Sequence, residues 1–327
     1  MGTGEPSPYG RPLFSNSKLF IKISASLRQM DEEQEILRNW AKAGKIAAEA
    51  LEYGRSLIKE GAEVSEILTK IEAKIVSLEG GLAFPAQISL NETAAHGCPD
   101  FGAKIVLAGQ LVKLDVGAHV DGWVADTALT VNLSKEHKDI VKASEESLKR
   151  ALKIIKPGVK LYEIGAVVEE TILGYGYKPV RNLSGHGLGQ FIVHDAPTIP
   201  NFDNGSQEEL EDGQIVAIET FASAGSGVVQ EKGKAGVLML LEEKPVRDAF
   251  TRQILQRINS YQGLPFAKRW LANEFGVNKV NFAFAQLNRL ECLREFPPLV
   301  DTANGWVSQA EHTIMVGDKL KVLTERN

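Results

Sequence analysis

The chain contains an internal repeat, and this repeat limits the folds open to it more than any other feature. The segment GAEVSEI at 61–67 is matched by GVKLYEI at 158–164, and each opens a helical apolar pattern. Further along, GQLVKLD at 109–115 is matched by GQIVAIE at 213–219, and a carboxylate closes both segments. Two matches in the same order at nearly the same separation indicate a duplicated half-domain, whereas one short match is common by chance. The sequence therefore predicts two similar halves that face each other.

Apolar periodicity indicates the elements of the first half. Helical spacing predicts one helix over 31–57 and a second over 67–78. The pattern then changes to alternation over 111–131 around an Asp-Gly pair at 121–122, which predicts a β-hairpin. Ser134 is the expected N-cap of a third helix.

The two-residue turn at 121–122 also fixes the pairing of this hairpin. It places Asp115 opposite Ala128 and Asp126 opposite Gly117, so that both aspartates lie on one face of the sheet. Two buried like charges at such a range are costly unless a cation or a proton compensates them. The alternative is a different register that leaves both aspartates in solvent.

Three further polar residues interrupt apolar contexts and strengthen the cation hypothesis. They are His186 in NLSGHGLG, Glu219 at the end of VAIE, and Glu311 in AEHTIMV. Two facing halves would place Asp115 and Glu219 across one cleft. Oxygen ligands with one imidazole suit Mn, Fe, Co or Zn, whereas a single structural zinc prefers Cys and His. Two divalent cations would balance four carboxylates.

The other histidines divide into two groups. His96 in NETAAHGCP and His194 in FIVHDAP lie where a substrate would need polar partners, although a single histidine among apolar residues is more often structural. His119 and His137 are assigned to the structural class. Cys98 lies near His96, but two residues in one loop are weak evidence for a catalytic thiol.

Composition excludes several other classes of function. The net charge is -5, so the chain has no overall positive excess to bind nucleic acid through its phosphates. Two cysteines are too few for a disulfide framework, and the apolar runs are shorter than the ~20 residues of a membrane helix. We therefore expect a cytoplasmic protein with no membrane partner and no specific nucleic-acid partner.

Two parts of the chain fall outside the repeat. Residues 1–29 carry prolines among Gly and Ser, and we interpret them as a flexible extension, with a misassigned start at Met30 as an alternative. Residues 245–305 show three short amphipathic stretches without a counterpart in the first half. They predict a helical insertion within a domain that spans 30–327.

Five segments resemble, in order and spacing, the motifs of the methionine aminopeptidases, specifically the archaeal type II form. They are GLAFPAQISLNETAAH, LVKLDVGAHVDGWVADTALTV, NLSGHGLGQFIVHDAPTIPN, IVAIETFA and QAEHTIMV. The resemblance begins at about residue 31, and the helical stretch 245–305 is similar to the type II insertion. It implies an α+β "pita-bread" fold with pseudo-twofold halves, in agreement with the repeat.

The resemblance also implies a role for each candidate ligand. Asp126 and Glu311 would bridge two divalent metal ions, which could be Co, Mn, Fe or Zn. Asp115 would complete the site of one ion, and His186 and Glu219 would complete the other. Glu219 would also act as general base or general acid.

The implied activity is removal of the initiator methionine when the second residue is small. His96 and His194 would contact the scissile amide and its developing oxyanion, and Phe84 would line the methionine pocket. The partners would be the N-termini of nascent polypeptides near the ribosome, and we expect a monomer.

Two alternatives stay open because the sequence departs from the family pattern. Thr220 stands where proline is common. The residues after His186 read GLG, which is closer to the motif of the type I enzymes and the Xaa-Pro peptidases. One alternative is an Xaa-Pro dipeptidase or aminopeptidase of the same fold. The other is a non-catalytic ribosome-binding or RNA-binding relative, although such relatives lose metal ligands and all five are present here.

Overall fold

The protein is represented by a computed structural model that describes residues 27–134 and 136–326. Residues 1–26 of the expected extension lie outside the described residues, whereas 27–29 belong to the first helix and not to an extension. The helices are α1 Leu27–Leu57, α2 Val64–Ser77, α3 Lys138–Ile154, α4 Leu161–Gly174, α5 Ala249–Asn259, α6 Lys268–Phe275 and α7 Val277–Arg289. The strands are β1 Gly81–Leu82, β2 Gln87–Leu90, β3 Thr93–Ala95, β4 Leu111–Val120, β5 Trp123–Asn132, β6 Lys178–Pro179, β7 Ser184–Gly189, β8 Ile192–Pro200, β9 Ile215–Ser223, β10 Val229–Glu231, β11 Val237–Leu240, β12 Phe266–Ala267, β13 Leu293–Phe296, β14 Leu299–Asp301, β15 Val307–Met315 and β16 Lys321–Val322.

The two halves predicted from the repeat are present. In the first half, α1 and α2 pack on a sheet of order β1-β4-β2 in which β5 pairs with β4. In the second half, α3 and α4 pack on a sheet of order β16-β15-β9-β7-β8. Each half has its own buried core, centred on Leu68 and Leu114 in the first and on Ile140 and Val216 in the second. The first pair of repeat segments therefore leads into the equivalent helices α2 and α4, and the second pair into the equivalent strands β4 and β9.

The predicted hairpin register is confirmed. Asp115 pairs with Ala128 and Gly117 pairs with Asp126 across β4 and β5. The expected cap at Ser134 is wrong, because α3 begins at Lys138 with His137 in the N-cap position. The Ser134 hydroxyl accepts instead from the backbone N–H of Glu136, within the turn that precedes the helix.

The two sheets meet at β5 and β15, where side chains replace an ordinary strand ladder. The Thr313 hydroxyl accepts from the backbone N–H of Asp126 at 2.8 Å and donates to the carbonyl of the same residue at 2.7 Å. The Thr130 hydroxyl makes the same two bonds with the backbone of Gln309, at 2.8 and 2.7 Å. All four residues are buried, so these bonds hold the halves at a fixed separation.

The helices α5, α6 and α7 form a further unit with the sheet β12-β11-β13. The sequence predicted the helices but not these strands, which are only two to four residues long. A buried ion pair between Arg269 of α6 and Glu72 of α2 joins this unit to the first half. Among the described residues, no helix is long and apolar enough to cross a membrane.

Candidate metal centre

Three of the candidate ligands come from adjacent strands of the second half. Glu219 on β9 and Glu311 on β15 pair directly across their antiparallel ladder. On the other side of β9, β7 places His186 opposite Ala217. Because Ala217 lies two residues from Glu219, period-two alternation turns His186 toward the same face as both glutamates. The second half thus presents two carboxylates and one imidazole on one surface.

The junction of the halves brings the first-half hairpin over this surface. The Asp126 Oδ2 atom lies 3.8 Å from His186 Nε2. One ligand atom from each of Asp126, His186 and Glu311 lies within 4.8 Å of the other two, which is a separation that one ion can span. The exposed fractions of these residues are 4%, 6% and 1%, so the cluster is buried.

Hydrogen bonds satisfy the carboxylates of the cluster only in part. The atoms Asp115 Oδ1, Asp126 Oδ1 and Glu311 Oε1 are buried and have no hydrogen-bond partner. Gln309 donates a long hydrogen bond, 3.4 Å, to Glu219 Oε2. Buried polar atoms in folded proteins are almost always paired, and carboxylate oxygens are typical ligands of hard cations. The donor set therefore fits divalent metal ions.

Electrostatics lead to the same conclusion. Burial raises the pKa of Asp115 to about 7, although hydrogen bonds from Asp126 and Gln309 act in the opposite direction. The pKa values of Asp126, Glu219 and Glu311 lie well above their ordinary values, first because of burial and then because of repulsion among these carboxylates. Four acidic groups in one buried site need either protons or cations to offset their charge.

His186 is prepared to act as a neutral ligand. Its Nδ1 atom lies 3.1 Å from the carbonyl oxygen of Gly187, and we assign the ring hydrogen to Nδ1 from this hydrogen bond. The Nε2 lone pair then faces Asp126. Burial also lowers the pKa of His186 to about 4, so the imidazole is uncharged at neutral pH.

The two other candidate histidines lie beside this cluster. The ring centroids of His194 and His186 are 4.4 Å apart. Part of the surface of His194 is open to solvent. Its pKa is well below the usual value because the cleft desolvates the ring and because His186 and His96 repel its charge. His96 follows β3 with a positive φ of 62°, and its Nδ1 lies 3.1 Å from the carbonyl oxygen of Pro297. Burial lowers the pKa of His96 to about 4.

Phe84 and the residues assigned structural roles also have defined positions. Phe84 is 4% exposed and packs on the hairpin at Gly117, where a Cβ would collide with its ring. His119 accepts from the backbone N–H of Gly122 in the hairpin turn. Burial raises the pKa of the Cys98 thiol, which disfavours a thiolate nucleophile.

Sequence reasoning missed the residues that support the ligands from β15. Gln309, Glu311 and Thr313 alternate along this strand, and all three are buried. Gln309 donates to Glu219, and Thr313 holds the backbone of Asp126. Polar residues two positions before and after a buried carboxylate on one strand are the signal that could have identified them.

Comparison with known proteins identifies the family. Residues 38–244 match metallopeptidase family M24. The methionine aminopeptidase of Thermococcus onnurineus is 41% identical over 290 residues, which are 88% of this chain and 97% of the relative.

Solved structures show the same fold. The crystal structure of methionine aminopeptidase from Thermotoga maritima matches with a TM-score of 0.66 at 24% identity, covering 94% of this chain and all of the other. Prolidase from Pyrococcus furiosus matches with a TM-score of 0.59 at 19% identity, covering 90% of this chain and 65% of the prolidase. With the family match and the long alignment to a curated relative, the chain belongs to metallopeptidase family M24 and, within it, to the methionine aminopeptidases.

Proposed function

We propose that this chain removes N-terminal methionine from proteins, and that the buried acidic cluster is its metal centre. The observation that carries the proposal is the set of unpaired carboxylate oxygens around His186, in a chain that is 41% identical to a methionine aminopeptidase. By the family resemblance, Asp126 and Glu311 would be shared by two divalent ions, and both residues lie in the tightest part of the cluster together with His186. Asp115 would complete one site, and His186 and Glu219 would complete the other.

Divalent ions in such a site polarise the scissile carbonyl and lower the pKa of water. A side chain of the protein, that of Glu219, would transfer the proton. Glu219 is partly exposed to the cleft, where its carboxyl group can exchange a proton with a reacting group, and burial together with repulsion from Asp115 raises its pKa well above the ordinary value. The hydrogen bond from Gln309 holds one of its oxygens and leaves the other free for this role.

The histidines differ in the hydrogen bonds they can offer to a substrate. Because the Nδ1 of His96 is engaged with the carbonyl of Pro297, its Nε2 has a lone pair that can accept from the N–H of the scissile amide. His194 is more accessible, and its neutral ring can donate to the oxygen on which negative charge develops. We therefore assign different contacts to the two rings.

Phe84 supports a preference for methionine. It belongs to a buried apolar cluster that also includes Val124, Leu188 and Leu264. An aromatic and aliphatic wall accommodates a flexible thioether chain without requiring a hydrogen bond. A small residue would follow the methionine.

The alternative is hydrolysis of Xaa-Pro peptides, which is favoured by the fold likeness to a prolidase. The deciding experiment measures kcat/KM for Met-Ala-Ser and for a set of Xaa-Pro dipeptides with added Mn²⁺, Co²⁺ or Fe²⁺. We expect hydrolysis of Met-Ala-Ser to dominate and to vanish after exhaustive chelation. A higher kcat/KM for the Xaa-Pro set would assign the chain to the proline-directed peptidases instead.

We further propose that the chain acts as a monomer in the cytoplasm, close to ribosomes that release nascent N-termini. This setting follows from the substrate, since initiator methionine is accessible as soon as the nascent chain emerges. Sedimentation of the purified protein, alone and with ribosomes, tests the oligomeric state and the association with ribosomes.

A further inference from the structure

The junction between β5 and β15 follows one antiparallel register with three consecutive contact positions. At the first position, Asp126 lies opposite Thr313, and at the third, Thr130 lies opposite Gln309. In both cases a threonine hydroxyl bonds to the N–H and the carbonyl of the facing residue. These bridges replace the direct N–H to carbonyl hydrogen bonds that join neighbouring strands within a sheet.

The middle position is closed by a different group. There the carbonyls of Ala128 and Glu311 face each other, and the Arg326 Nη2 atom donates to both at 3.0 Å. The same nitrogen lies 3.4 Å from the Thr127 hydroxyl, which itself donates to the Glu311 carbonyl at 2.9 Å. One guanidinium nitrogen thus joins the strand that carries Asp126 to the strand that carries Glu311.

The segment that delivers Arg326 is firmly anchored. Its strand β16 pairs with the end of β15, and the backbone N–H of Leu323 donates to the Thr313 carbonyl at 2.8 Å. The fully buried Thr324 hydroxyl accepts from the backbone N–H of Thr313 at 3.0 Å. Leu323 also packs so closely on Gly44 of α1 that a Cβ there would collide with it. The segment that leads to Arg326 is therefore anchored by contacts that involve no metal ion.

We propose that Arg326 is a positioning residue that sets the spacing of the metal centre. The inference rests on the proposed function, in which Asp126 and Glu311 share the ions. These two ligands belong to different sheets, so their separation depends on the side chains that join β5 and β15. Arg326 acts at the backbone of Glu311 itself and two residues from Asp126. Without it, two carbonyls would face each other, and the Glu311 carbonyl would keep the Thr127 hydroxyl as a donor while the Ala128 carbonyl would lose the Arg326 donor.

The test is metal binding by Arg326→Ala, measured on the chelated protein by calorimetric titration with Mn²⁺. We expect the affinity to fall by about 10 to 100-fold, the range observed when groups that support metal ligands are removed. The absorption spectrum of the Co²⁺-loaded variant should change because the ligands are displaced. Arg326→Lys, or millimolar guanidinium added to Arg326→Ala, should restore part of the affinity. Lys321→Ala is the matched control, since Lys321 is exposed on the same segment.

Each outcome has one meaning. Wild-type affinity and an unchanged Co²⁺ spectrum in Arg326→Ala would overturn the inference. A loss of affinity that only parallels a lower melting temperature of the metal-free protein, with no recovery in Arg326→Lys or with guanidinium, would also overturn it. Asp126→Ala is titrated in parallel. If it binds metal like the wild type, the ligand set and the role of Arg326 both fail, whereas failure of Arg326 alone leaves the proposed function intact.

Discussion

The two halves of the molecule have a similar arrangement of helices and strands but contribute to the proposed metal centre in different ways. The first half supplies Asp115 and Asp126 from the two strands of one hairpin, whose pairing is set by a two-residue turn. The second half supplies His186, Glu219 and Glu311 from three strands that are far apart in sequence. Duplicated halves therefore do not need duplicated ligands, because only Asp115 and Glu219 occupy equivalent ends of the repeat.

The comparison also shows that neither half is a complete site. The hairpin places two carboxylates beside each other with one oxygen of each unpaired, and the second half leaves Glu311 Oε1 unpaired. The tightest cluster, formed by Asp126, His186 and Glu311, includes residues of both halves. The proposed centre is consequently formed at the junction. The contribution of each half can be tested by substituting a residue of that half in the full chain.

The largest effect is expected from removing one ligand of the central cluster on either side of the junction. Asp126→Ala in the first half and Glu311→Ala in the second should each lower kcat by more than about 10³-fold, because even a single transition-state donor contributes 10²–10³. Both variants should also retain less than the wild-type content of metal. Atomic absorption on dialysed protein, together with kcat on Met-Ala-Ser, checks this prediction.

The comparison of the halves fails if these two variants behave differently. Full metal content in one of them would show that only one half holds the ions. His137→Ala is a suitable control, since His137 lies at the start of α3 and packs on Trp306, away from the cluster.

The next effect concerns His194, which belongs to the second half but is not a proposed metal ligand. If it donates to the developing oxyanion, His194→Ala should lower kcat by roughly 10²–10³ with a nearly unchanged KM and unchanged metal content. Steady-state kinetics and metal analysis of the same preparation measure all three quantities. A variant that keeps its kcat but melts much earlier would instead make His194 a structural residue.

Much of this arrangement could be predicted from sequence where the determinants are local. The turn at 121–122 fixed the position of Asp126 relative to Asp115, and the repeat indicated two halves. The pairing of Glu219 with Glu311 could not be predicted, because the helices α5 to α7 separate their strands in the chain. The roles of the individual ligands came from the family resemblance and remain predictions.

Supporting residues were beyond sequence reasoning for a related reason. Gln309 and Arg326 act through hydrogen bonds to partners that are not adjacent in sequence, and no local pattern marks such partners. The cap predicted at Ser134 was wrong. Serine favours the N-cap position, but its hydroxyl can also accept within a turn, and here the Ser134 hydroxyl accepts from the backbone N–H of Glu136.

A smaller effect should separate the two hydroxyl bridges of the junction. Thr313→Val and Thr130→Val each remove a hydroxyl that serves a buried backbone N–H and carbonyl, and each should cost about 1–3 kcal/mol in the free energy of unfolding. Only Thr313 holds the backbone of a proposed ligand, Asp126. Thr313→Val should therefore also lower the Mn²⁺ affinity by about tenfold. Denaturant titration and calorimetry measure the two quantities, and equal Mn²⁺ affinities in both variants would contradict this distinction.

The smallest effect is a pH dependence that arises in the first half. Burial raises the pKa of Asp115 to about 7 in the folded, metal-free chain, whereas an unfolded aspartate titrates near 3.9. Between these values the folded state binds more protons than the unfolded state, so the contribution of Asp115 to stability is present below about pH 4 and is lost as the pH rises through about 7. Asp115→Asn cannot ionise. The melting temperature of the metal-free variant should therefore match that of the wild type near pH 4, rise a few degrees above it by pH 7, and keep that difference at higher pH. Saturating Mn²⁺ should reverse the order at pH 7 and above, because the metal stabilises only a folded state that can bind it. If the difference in melting temperature between the two metal-free proteins stays constant from pH 4 to 8, Asp115 does not titrate in this range.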